Sequence, residues 1–168
     1  EALRGEVWEY VRLKARPADC TGCNLCVVAC VASHDGGSYG THQARLRIDS
    51  GAQHGQFKVM FCTLCRQCID ICPTDALRWH PESGAVELLA ERCDNCGKCV
   101  EVCPTQVIVR SAEGVRIAGG GMPQAPEKTL PWYPVVCDLC GGAPECARIC
   151  PTGAIFIDER KAFDPLAG

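Results

Sequence analysis

The sequence predicts an α+β fold with internal pseudo-symmetry, two modules each holding two copies of one small unit. Three observations predict it. All 16 cysteines of the 168-residue chain fall into four groups of four. A similar local pattern surrounds each group. The groups are also unevenly spaced, which sorts them into an inner and an outer pair. Internal repeats of this kind fix an architecture before residue propensities are weighed.

The groups read CTGCNLCVVAC (Cys20, Cys23, Cys26, Cys30), CTLCRQCIDICP (Cys62, Cys65, Cys68, Cys72), CDNCGKCVEVCP (Cys93, Cys96, Cys99, Cys103) and CDLCGGAPECARICP (Cys137, Cys140, Cys146, Cys150). Apolar stretches precede the second group (residues 57–61) and the fourth (134–136). Between the third and fourth cysteines lie short helix-compatible residues, 27–29, 69–71, 100–102 and 147–149. Pro73, Pro104 and Pro151 then stop each turn, because proline lacks an N–H and fixes φ. Strand-type runs follow at 76–79, 107–110 and 154–157, and residues 79–87, with Pro81 and Gly84, read as a hairpin. The unit is strand, cysteine loop, short helix, strand. Residues 119–131 (GGGMPQAPEKTLP) break the pattern and read as a connection, as does HDGGSYGTHQ from His34 to Gln43.

Four thiolates within eleven residues suit an inorganic cube. A C-x2-C-x2-C loop curls around one [4Fe–4S] cluster and reaches three of its irons. The next cysteine, three residues on, ligates the neighbouring cluster, and C-x2-C-x2-C-x3-C-P is the bacterial two-cluster signature. The second and third groups match it in full. The first has Val31 where the others have proline, and the fourth widens one gap to five residues. Zinc sites bring together two separated C-x2–4-C pairs. Cystines between i and i+3 are geometrically poor, and no secretory pattern opens the chain, whose residues 1–16 are charged throughout. The expectation is four [4Fe–4S] clusters.

The leading cysteines Cys20, Cys62, Cys93 and Cys137 are separated by 42, 31 and 44 residues. The short central gap pairs the second group with the third, leaving the first with the fourth. Exchanging fourth cysteines within pairs gives four ligand sets: Cys62, Cys65, Cys68 with Cys103; Cys93, Cys96, Cys99 with Cys72; Cys20, Cys23, Cys26 with Cys150; and Cys137, Cys140, Cys146 with Cys30. The alternative, first with second and third with fourth, stays open on spacing alone.

CTGCNLCVVACVASHDG at 20–36, ARLRI at 44–48 and VVCDLCGGAPECARICPTGAI at 135–155 carry a family likeness. The chain resembles the four-cluster ferredoxin-like electron-transfer subunits of molybdenum and tungsten oxidoreductases, hydrogenases and carbon monoxide dehydrogenases. Within that family it is most similar to the small iron–sulfur subunit of tungsten-dependent aldehyde oxidoreductase (the aldehyde ferredoxin oxidoreductase type), with benzoyl-CoA reductase components close by. The resemblance implies two ferredoxin-like modules, one inserted in the other: an outer module of residues 1–51 plus 113–168 and an inner one of 52–112. It implies a subunit not catalytic alone. Its partners would be a tungsten- or molybdenum-pterin catalytic subunit and a flavin-containing or ferredoxin electron partner, with self-association at its two exposed ends. The same conduit in a hydrogenase, formate dehydrogenase, carbon monoxide dehydrogenase or benzoyl-CoA reductase complex, and a free-standing polyferredoxin, are the alternatives.

The remaining residues suggest little further chemistry. The net charge of −3, with both signs mixed along the chain, excludes a nucleic-acid footprint. No apolar run reaches a membrane span, so a cytoplasmic, reducing location is expected. His34 reads as a helix-end cap rather than a cluster neighbour, and His42, His54 and His80 as exposed. Trp8, Trp79 and Trp132 read as core or interface residues, and Gly119–Gly121 and Gly141–Gly142 as turns. The Pro-Thr turns after the cysteine runs, and the cysteine loops, are expected to aim backbone N–H groups at cluster sulfurs.

Overall fold

The computed structural model describes residues 10–35, 40–51, 55–111 and 131–160. Trp8, His54 and all but the last residue of the 119–131 connection lie outside them. The described chain is a mixed helix and strand ferredoxin-like fold, made of four short antiparallel strand pairs and four helices.

Strand β1 (Tyr10–Ala15) pairs with β8 (Ile155–Arg160), from Tyr10↔Arg160 to Ala15↔Ile155. Strands β2 (Leu46–Ser50) and β3 (Phe57–Phe61) pair from Leu46↔Phe61 to Ser50↔Phe57. The predicted hairpin is β4 (Leu77–His80) with β5 (Ala85–Leu88). Finally β6 (Val109–Arg110) joins β7 (Pro134–Val135). The β3 bounds match the sequence expectation. Strand β1 was not expected; the alternation Val11, Leu13, Ala15 against Arg12 and Lys14 carries its period of two, and Leu13 is buried.

Each helix grows out of a cysteine loop: α1 (Leu25–Asp35), α2 (Gln67–Asp70), α3 (Lys98–Val102) and α4 (Glu145–Arg148). Only α1 is long, since Val31 replaces the proline that ends the others. Helix α1 packs on α4, and α2 on α3. Two cores result. One gathers Leu13, Val27, Val31, Leu46, Val59 and Leu139 with Cys26, Cys30 and Cys146. The other gathers Leu77, Val86, Leu88, Ile108 and Tyr133 with Cys68, Cys93 and Cys99. Thiols are structural members of both.

Gly22 fixes the approach of the first loop to β3. Its φ is +70°, and a Cβ there would meet three Phe57 ring carbons inside 3.0 Å. The left-handed backbone costs an L-residue about 1–2 kcal/mol, and the ring must also move. Gly22→Ala is expected to destabilise the loaded protein by about 2 kcal/mol or more, read as a lower denaturant midpoint under anaerobic conditions; an unchanged midpoint would contradict this packing.

Candidate metal centres

The cysteine loops are held in an unusual backbone. In the first three, the second and fourth residues after the leading cysteine have positive φ: Gly22 (70°) and Asn24 (59°), Leu64 (58°) and Arg66 (64°), Asn95 (65°) and Gly97 (79°). In the fourth, Leu139, Cys140, Gly141 and Gly142 run consecutively at 53°, 50°, 70° and 104°. Leucine and arginine resist this region, so something must compensate. Turns of alternating hand point successive N–H groups to one side and form an anion-binding nest, a known device at iron–sulfur sites. The N–H groups of Leu64, Asn95 and Leu139 bond the leading thiols Cys62, Cys93 and Cys137. Asp94 and Asp138 tighten two of the loops, each accepting a hydrogen bond through Oδ1, from the N–H of Cys96 (3.1 Å) and of Cys140 (2.9 Å).

The Pro-Thr turns form a second device. Asp75, Gln106 and Gly153 take positive φ three residues beyond Cys72, Cys103 and Cys150. Ala76 N–H then donates to Cys72 Sγ at 3.3 Å, and Thr74, Thr105 and Thr152 hydroxyls lie 3.7, 3.6 and 3.7 Å from their cysteine sulfurs. Burial pushes these three thiols up, but the donors outweigh it and hold each below its ordinary value. Cys30 lacks the turn. The N–H of Arg45 takes its place, 3.3 Å from Cys30 Sγ. Elsewhere burial wins: Cys26 and Cys99 are pushed up to about 11, Cys68 and Cys146 to about 12, and Cys137 is also raised.

The structure brings the sixteen cysteines together around four pockets. Cys20, Cys23, Cys26 and Cys150 border the first. Cys30, Cys137, Cys140 and Cys146 border the second. Cys62, Cys65, Cys68 and Cys103 border the third, with Cys137 at its edge. Cys72, Cys93, Cys96 and Cys99 border the fourth. All sixteen thiols are free, so no cystine competes. A four-thiolate rim with convergent N–H groups fits a [4Fe–4S] cube.

The cavities adjoin in succession. Cys26 of the first is within electrostatic reach of Cys146 of the second. Cys137 borders both the second and the third. Cys68 of the third is within reach of Cys99 of the fourth. Cys23 and Cys96, at the two ends, and Cys65 of the third cavity are exposed, whereas no cysteine of the second cavity is.

Several side chains differ from expectation. His34 is buried and lines the second cavity. Its Nδ1 lies 2.7 Å from the Cys30 carbonyl oxygen, the expected helix-end contact, and its Nε2 lies 2.9 Å from Asp138 Oδ1. Both partners only accept, so both ring nitrogens donate and the ring is an imidazolium. Burial alone would lower its pKa; the Asp138 carboxylate more than reverses that. Arg45 is equally hidden, its Nε donating to the Val136 carbonyl at 2.7 Å. Asp138 and Arg45 were not singled out from sequence; the repeated C-D-x-C at Cys93 and Cys137 was a legible signal for the former. His80 is half-buried, its Nδ1 accepting from the N–H of Ser83, while His42 is exposed. Trp132 lines the fourth cavity with Arg110 4.6 Å from its ring, and Trp79 carries Arg66 at 4.0 Å. Among the described residues no helix is long and apolar enough to cross a membrane.

Comparison with known proteins agrees with this geometry. Two family models, both described as 4Fe-4S dicluster domain, match residues 61–107 and residues 19–77 and 91–155. The polyferredoxin-like subunit of aliphatic sulfonate oxidoreductase from Pyrococcus furiosus is 33% identical over 86% of this chain and 74% of its own length. The electron transport protein HydN of Escherichia coli K12 is 31% identical over 91% of this chain and 90% of its own. A solved structure of the active site complex BamBC of benzoyl coenzyme A reductase with zinc superposes with a TM-score of 0.45 at 21% identity, covering 93% of this chain and 82% of that one.

Proposed function

This chain belongs to the 4Fe-4S dicluster domain family, and from that premise we propose that it conducts electrons between a tungsten-pterin aldehyde oxidoreductase catalytic subunit and a flavin-containing or ferredoxin partner. It is an iron–sulfur electron-transfer subunit with four [4Fe–4S] clusters. The observation that carries the conduit reading is that four cysteine-rimmed cavities adjoin in succession, with thiols exposed at the first, third and fourth.

We assign the ligands as the cavities group them: Cys20, Cys23, Cys26, Cys150; Cys137, Cys140, Cys146, Cys30; Cys62, Cys65, Cys68, Cys103; and Cys93, Cys96, Cys99, Cys72. The α1–α4 and α2–α3 contacts support this exchange of fourth cysteines. The same contacts support an inner module (52–112) inserted in an outer one (1–51 plus 113–168). On that division β2–β3 and β6–β7 each pair a strand of one module with a strand of the other, tying the two together. Bound clusters supply reversible one-electron storage. The protein's own residues position the thiolates, aim N–H donors at sulfur and bury the thiols of the second site most fully, which together set potentials. A cytoplasmic location suits thiolate ligands that must stay reduced.

The 33% identity to a sulfonate oxidoreductase subunit favours one second reading, a conduit for a complex acting on sulfonates. Anaerobic native purification with metal analysis tests both. About sixteen irons per chain, with tungsten and an aldehyde-oxidising subunit in the same particle, is the expected result. Sulfonate oxidation by that particle would establish the second reading. An iron-free, colourless chain would overturn the conduit itself.

A further inference from the structure

The second cavity differs from the other three in charge. The first is lined by Thr21, Asn24 and Thr152 and by no charged side chain. Arg66 borders the third but is only half-buried and lies over Trp79. Asp94 and Lys98, at the fourth, are exposed to water. The second holds Arg45, 3% exposed. His34 stands beside it, but its charge is offset by Asp138 at 2.9 Å. Among the described residues Arg45 forms no ion pair, and the one carboxylate it feels, Asp138, also serves His34, so two cations share a single negative charge. Its Nε is used by Val136, yet its Nη1 is buried with no hydrogen-bond partner in the protein.

A buried guanidinium N–H without an acceptor is costly, and arginine is rarely placed so deep unless paired. Arg45 lines a cavity rimmed by four thiols, and sulfur is the acceptor that such a site would offer. A hydrogen bond to cluster sulfur and a nearby positive charge both favour the reduced, more negative cluster. Away from water the charge acts with little screening.

We propose that Arg45 is a potential-setting residue: its Nη1–H donates to a sulfide of the cluster held by Cys30, Cys137, Cys140 and Cys146, and makes that cluster the first of the four to be reduced. This rests on the ligand assignment proposed above. An electron entering from either end then settles one step inside the succession, shielded from solvent, before moving on.

The test is an anaerobic redox titration of the intact protein followed by electron paramagnetic resonance, comparing wild type with Arg45→Met, which lacks charge and donor, and Arg45→Gln, which lacks the charge. Iron and sulfide are measured on each sample. With iron content unchanged, the midpoint of the first-reduced cluster is expected to fall by about 59 mV or more, tenfold in its equilibrium constant, while the other three stay fixed. Four unmoved midpoints overturn the proposal. If Arg45→Met fails to load, Arg45→Gln is read by the same criterion. Wild type labelled with ¹⁵N in its arginine guanidinium groups gives a readout free of substitution: poised so that one cluster is reduced, it should show ¹⁵N hyperfine coupling, and absence of coupling overturns the proposal. A wild type without clusters would instead defeat the functional reading beneath it.

Discussion

Stripped of iron under anaerobic conditions, the chain is expected to lose its tertiary structure altogether. The interior is small and shared with the ligands: Cys26, Cys30 and Cys146 stand in one core, Cys68, Cys93 and Cys99 in the other. Three of the four helices have four or five residues, far below the length at which a helix persists alone. The cysteine loops carry the cost of left-handed Leu64, Arg66, Leu139 and Cys140, about 1–2 kcal/mol each. Structural zinc binding in small metallo-domains contributes about 10–16 kcal/mol, against a total stability of about 5–15 kcal/mol for an ordinary domain. Four clusters therefore outweigh everything else in the fold. Visible absorbance and near-ultraviolet circular dichroism should vanish together as a chelator removes iron. An iron-free chain that kept its near-ultraviolet signal and unfolded cooperatively would show the prediction wrong. The pH dependence has a definite sign. Iron binds thiolate, and burial pushes free Cys68 and Cys146 up to about 12, so loading expels protons. Acidification should lower the chelator concentration at which iron is lost.

The cysteine pattern made the cofactor, the repeated unit, the β4–β5 hairpin and the Pro-Thr turns legible, because each is local chemistry with a fixed spacing. What escaped is non-local or runs against residue type. Strand β1 has its partner across the chain, Tyr10 opposite Arg160, and its alternation is short. Leu64 and Arg66 are poor candidates for positive φ by type, yet Gly22 with Asn24 and Asn95 with Gly97 hold the same loop positions. Aligning the repeats would have exposed the conformation. Arg45 and the burial of His34 escaped because arginine and histidine are usually read as surface residues. Their burial depends on strand β2, helix α1 and the Asp138 loop meeting across about a hundred residues of sequence.

Replacing Cys103 by serine is expected to remove one cluster, and paired substitutions show which. Cys103 follows the third trio closely in sequence, yet its sulfur borders the cavity of Cys62, Cys65 and Cys68. The turn at Pro104–Gln106 eases its ionisation: burial is outweighed by hydrogen bonds from the Thr105 hydroxyl and the Val107, Ile108 and Thr105 N–H groups. If Cys103 and Cys62 serve one cluster, their substitutions cannot add. Cys103→Ser, Cys62→Ser and the double variant should each keep about twelve of sixteen irons. Cys103→Ser with Cys93→Ser should strike two clusters and leave about eight. Electron paramagnetic resonance should lose one signal in the first set and two in the second. The reverse pattern, additive with Cys62 and non-additive with Cys93, would mean that each cysteine run holds its own cluster. The α2–α3 contact would then be mere packing, because without the exchanged cysteine neither helix would contribute a ligand to the other's site.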